Sequence, residues 1–164
     1  MTEYWDVPNL DAIFAEAAIA EYLHSLDPNT RWAGGNAPLI DVRGAGMTVD
    51  AKVAFRHHVP LVGSNGPVEC VGFMGSGRET EVRPSVSHYG LVEVAPTVSV
   101  TRVEDRLVVH GEATVRIYLI PAEIINGRTS PRARQDGELG AGRNLYLPAA
   151  SAENYEVKLP TGGR

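Results

Sequence analysis

Between Thr97 and Pro121 the chain reads TVSVTRVEDRLVVHGEATVRIYLIP, and its apolar residues return at every second position: Val98 and Val100, Leu107 and Val109, then Val115, Ile117 and Leu119. A period of two belongs to strands, so this stretch commits the chain to a sheet with one covered face. A tight turn at Glu104 and Asp105 that pairs Val103 with Arg106 places Val100 opposite Val109 and Arg102 opposite Leu107. Directly opposed antiparallel residues share a face. Gly111 and Glu112 read as a second turn or bulge, which makes the stretch a meander, and Pro121 ends it for want of a backbone N–H. Within its last strand, Val115, Ile117 and Leu119 face one way and Thr114, Arg116, Tyr118 and Ile120 the other.

The rest of the chain is organised around that sheet. Pro8 and Asn9 signal a helix start, LDAIFAEAAIAEYLHSL follows with strongly helix-forming composition, and Asp27-Pro28 stops it, giving a helix at about residues 9–26. At ~100° per residue, Leu10, Ile13, Phe14, Ala17 and Ala20 form one stripe and Ile19, Tyr22, Leu23 and Leu26 another on nearly the opposite side. Two apolar sides imply two partners: the chain's own sheet, and either a covering linker or a second copy of the protein. A linker rich in turn formers spans 27–38, with Trp32 as its anchor. A β core spans 39–121. In it Met47, Val49, Ala51, Val53 and Phe55 alternate with polar residues, PVECVGFM is apolar on both sides, and further strands fall near 81–84 and 89–94. A long loop at 122–143 reads as an extended arm, and two short strands, NLYLP and NYEVKLP, close the chain at 144–160. The expectation is a single mainly β domain: a β-sandwich or partly open barrel of roughly seven to nine short antiparallel strands with one N-terminal helix and an arm-like loop.

Charge and cysteine usage narrow the function classes. A formal net charge of −5 argues against a nucleic-acid binder, and no segment resembles a secretory signal or a run of ~20 apolar residues. The lone Cys70 has no disulfide partner, which suits a reducing compartment such as the cytoplasm, or a particle assembled there and later released. His57, His58, His88 and His110 lie in or near strands, yet no His-x-His or His-Glu-x-x-His spacing brings them together, so no metal or cofactor is assigned. Cys70, flanked by Val68 and Val71, reads as a core residue, and Gly75-Ser76-Gly77 as a turn and not a nucleophile elbow. The arm carries Arg128, Arg132, Arg134 and Arg143 against Asp136 and Glu138, a local charge opposite to that of the whole chain and suited to docking on an acidic neighbour.

These readings point to a non-enzymatic structural subunit of a homo- or hetero-oligomeric particle, for instance a phage head, connector or tail protein or another shell component. Its partners would be copies of itself or other subunits, with no membrane and no nucleic acid, meeting it through Ile19, Tyr22, Leu23, Leu26 and the four arginines. The alternative is a small-ligand β-barrel, a binding protein or an enzyme using His57 or His88 as acid or base.

Overall fold

One mainly β sheet of eight strands, not closed into a barrel, carries a helix across one face in the computed structural model, which describes residues 10–33, 40–61, 63–75, 85–126 and 143–159. In chain order the elements are α1 (Leu10–Leu26), β1 (Arg31–Trp32), β2 (Val42–Gly44), β3 (Met47–Pro60), β4 (Pro67–Gly75), β5 (His88–Val103), β6 (Arg106–Pro121), α2 (Ala122–Asn126), β7 (Arg143–Pro148), α3 (Ala149–Glu153) and β8 (Glu156–Val157). No helix among the described residues is long and apolar enough to cross a membrane.

The long β3 is the seam. On one edge it pairs antiparallel first with β2, through Val49↔Val42, and farther along with β4, from Ala54↔Phe73 to Pro60↔Pro67. On its other edge it pairs parallel with β5, from Val49↔His88 to Ala54↔Glu93. A gap opens between β2 and β4, and the Asp41 carboxylate enters it, Oδ2 accepting the Ala51 N–H at 2.7 Å. At the β2–β3 turn, Ala45 and Gly46 adopt φ of 49° and 75°, as the two central residues of a tight hairpin require. Asp27, just past α1, binds that turn, Oδ2 accepting from Ala45 N at 3.0 Å and Oδ1 from Asn29 N at 2.9 Å. Both backbone bonds hold the Asp27 carboxyl below its usual range.

The sheet's two faces have separate cores. On one, Ala15, Ala18, Ile19 and Leu23 of α1 pack with Val42, Val49, Val92, Ile117 and Leu119. The helix can lie this close because β5 has glycine beneath it: a Cβ at Gly90 would sit 2.7 Å from Ile19 Cδ1. On the other face β4, β7, α2 and α3 supply Phe73, Leu145, Leu147, Ile125 and Ala152 around Tyr89, Leu91, Tyr118 and Ile120. Phe73 stacks on Tyr89 at 6.1 Å between centroids. Each large side chain removed from water here contributes roughly 1.5–3 kcal/mol.

The turn at Glu104 and Asp105 and the register Val103↔Arg106, Arg102↔Leu107, Val100↔Val109 are as the alternation requires, with Glu104 at φ 57°. The expected second turn at Gly111 and Glu112 does not form: both lie inside one unbroken β6, opposite Val98 and Thr97. β5 runs on through Pro96, which lies beyond the last residue of β5 paired with β3. The stretch is therefore one long hairpin and not a three-stranded meander. Trp32 is exposed and not a buried anchor, its Nε1–H bonded to Glu16 at 2.9 Å. The first part of the expected arm is the short α2, residues 127–142 and 81–84 lie outside the described residues, and α3 separates the two C-terminal strands.

Candidate functional site

The sheet splits at Ala54 and Glu93. Ala54 is the last β3 residue paired with β5; beyond it β3 follows β4 while β5 follows β6. The diverging strands leave a cleft of about 460 Å³ lined by Ala54, Phe55 and Arg56 on one side and Glu93, Val94, Val115 and Arg116 on the other.

Its polar groups form one network. Arg56 Nε lies 2.7 Å from Glu93 Oε1, and Arg56 Nη2 donates to Tyr118 Oη at 2.8 Å. The Tyr118 hydroxyl in turn donates to Glu93 Oε2 at 2.8 Å, closing a three-membered ring across β3, β5 and β6. Arg56 also reaches Glu69 on β4 at 3.2 Å and Glu153 on α3 at 3.5 Å. Arg116 forms a two-pronged pair with Glu156 on β8, Nε to Oε1 at 3.0 Å and Nη2 to Oε2 at 2.8 Å, and lies 3.7 Å from Glu153 and 3.9 Å from Glu93. Its guanidinium sits 5.6 Å from the Tyr118 ring centroid.

The protonation states follow from these contacts. Burial, reinforced by Glu93, pushes the Tyr118 phenol up to about 12, so it keeps its proton at neutral pH. Burial disfavours the Arg56 cation, but its bonds to Tyr118, Glu93 and Glu69 outweigh that and raise its pKa. Arg116 is raised chiefly by its bond to Glu156, which it lowers in return. These paired groups form a clasp, tying β3, β4, β5, β6, α3 and β8 together at the split.

No protein-family model, curated protein or solved structure matches this chain. The chemistry of the site therefore rests on its own geometry.

The side chains expected to meet partners are dispersed. Ile19 and Leu23 are fully buried against the chain's own sheet, Tyr22 is half-buried in the same core, and Leu26 is exposed. The exposed apolar side of α1 is the other stripe, with Ile13 and Phe14. Arg128, Arg132 and Arg134 lie outside the described residues; Arg143, the first residue of β7, pairs with Gly75 of β4, its side chain outside them. Cys70 is buried, and burial pushes its thiol up. His57 and His58 are exposed, with the His57 ring edge-on to Phe55 at 5.0 Å, while His88 Nδ1 lies 2.9 Å from Ser87 Oγ. No group of three or more metal-ligating side chains converges among the described residues.

Arg56, Glu93, Tyr118 and Arg116 match no catalytic spacing, and the sequence marked none of them as a site. Their signal was a charge set inside an apolar strand: VAFR, LVEV and VRIYLI. Such charges are costly to bury unless paired, so each calls for a partner across the sheet.

Proposed function

We propose that this protein is a non-enzymatic structural subunit that works by joining a homo- or hetero-oligomeric particle assembled in the cytoplasm, with a virion component of head, connector or tail type as its concrete form. The observation that carries this reading is the β5–β6 ribbon. Only its base is braced, by β3 up to Glu93 and by β8 at Ile117 and Tyr118. The ten pairs from Val94↔Val115 to Val103↔Arg106 extend beyond, with no other strand of the described residues beside them. A two-stranded ribbon is marginal in water, and among the described residues both its edges offer backbone groups that no other strand pairs, so another subunit would complete it. Exposed Ile13, Phe14, Leu26 and Val103 add apolar surface of the kind that association covers.

The rival reading, a small-ligand barrel with His57 or His88 as acid or base, has less support. It needs an enclosed cavity beside a histidine, whereas the cleft opens at a sheet split and its lining contains neither. Size-exclusion chromatography with light scattering tests the assembly reading: mass should rise with concentration, and a monomer at millimolar concentration, unchanged on adding copurifying subunits, would overturn it.

A further inference from the structure

We propose that the tip of the β5–β6 ribbon of one copy seats in the β3/β5 cleft of a second copy, joining subunits head to tail. The inference rests on the assembly reading and specifies its contact. Val103 and Arg106 are directly opposed across the ribbon and so share a face of the tip. That face presents an apolar side chain 52% exposed beside a guanidinium 87% exposed, whose nearest carboxylate, Asp105, is 4.0 Å away and equally in solvent. The cleft offers the complement. Phe55, Val94 and Val115 give apolar lining beside Arg56, Glu93 and Arg116, and the two arginines are tied to three further carboxylates next to that lining, Glu69, Glu153 and Glu156, which leaves the network as a whole net negative. Its outer members, Glu69 and Glu153, are half exposed (49% and 46%) and hold their arginines only at 3.2–3.7 Å, so both have acceptor capacity to spare.

The occupant must be another molecule. Val103 lies ten residues beyond Glu93 along one extended ribbon, which at ~3.3 Å per residue puts the tip roughly 30 Å from its own cleft. Tip and cleft are different patches, so the contact is heterologous and propagates into a ring or filament, the geometry of a shell or tube.

The test is sedimentation and light scattering of the full chain with Val103→Asp, Arg106→Glu and the double variant Arg106→Glu/Glu69→Arg, alongside oxidative cross-linking of a mixture of Val103→Cys and Val115→Cys chains. Val103→Asp and Arg106→Glu should each weaken self-association at least tenfold with unchanged circular dichroism and melting temperature. The double variant should recover part of the loss, and the mixture should cross-link where neither cysteine chain alone does. Oligomers that survive Val103→Asp, or Val103→Cys chains that cross-link tip to tip, would overturn the proposal while leaving the assembly reading intact. A wild-type chain that never self-associates would overturn the proposal, and the assembly reading too if added subunits leave it monomeric.

Discussion

Replacing Asp41 by asparagine should make the protein more stable at neutral pH, an uncommon outcome for a residue that makes a good hydrogen bond. Burial, aided by Asp50 and Glu16, raises the Asp41 carboxyl from 3.8 to about 6, against the opposing bond from Ala51 and the charge of Lys52. The folded chain therefore holds this proton more tightly than the unfolded chain does. The stability it contributes is fully present below pH 3.8 and is lost as pH rises through 6. At 1.36 kcal/mol per pH unit the gap is at most ~3 kcal/mol; partial contact with water screens it to about 1–2 kcal/mol. An asparagine side chain at this position keeps a carbonyl for the Ala51 N–H at the gap in the β3 edge and removes the charge. Asp41→Asn should gain about 1–2 kcal/mol at pH 7.5 and nothing at pH 3.5, read as a shift in the urea midpoint at constant slope. His88, whose pKa burial lowers, has the opposite pH dependence, losing stability as pH falls below 6.5, so the difference between variant and wild type is the quantity to follow. A difference that is flat across pH 4–7, or an Asp41→Asn variant less stable than wild type at pH 7.5, would refute the reasoning.

Gly90→Ala should destabilise by about 1–3 kcal/mol, because the new Cβ meets Ile19 Cδ1 at 2.7 Å and Val49 Cγ1 at 3.0 Å. Ile19→Val removes the nearer atom, so in a double-mutant cycle the pair should cost less than the sum of the single changes. Arg56→Leu leaves Glu93 and the Tyr118 hydroxyl without their cation and should cost about 2–4 kcal/mol in denaturant unfolding, whereas Tyr118→Phe, which removes one donor and one acceptor together, should cost about 1–2 kcal/mol. In hydrogen exchange on the monomeric chain, amides of Val98–Val103 should exchange faster than those of Tyr89–Val92, since among the described residues only the latter stretch is paired on both sides.

The hairpin register was legible in the sequence because one tight turn fixes every pair behind it, and because shifting a strand by one residue would turn its covered face outward. The division of labour on α1 was not. Periodicity shows that Ile19 and Leu23 lie opposite Ile13 and Phe14, but both stripes are apolar, and it is Gly90 on a distant strand that decides which one the sheet accepts. Gly111 misled because glycine punctuates chains locally, yet it is tolerated where pairing with the neighbouring strand continues. The cleft was illegible because its walls come from β3, β5 and β6, and no local pattern reports that two strands part company.

The parting itself has a chemical cause in the chain. Had β3 and β5 continued in parallel register, Arg56 would meet Ala95 and the next step would need a ladder bond from Pro96, which has no N–H to give. Proline within a strand is tolerated where its nitrogen faces an open edge, so the β3 side of β5 must be vacated before Pro96 is reached. Once it is vacated, Glu93 and Arg56 end at a fresh opening instead of inside a continuous sheet, and pairing with Tyr118 satisfies both there. The same departure leaves β5 and β6 to run on together as a ribbon with no other strand of the described residues on either edge. Cleft and ribbon are thus two consequences of one interruption.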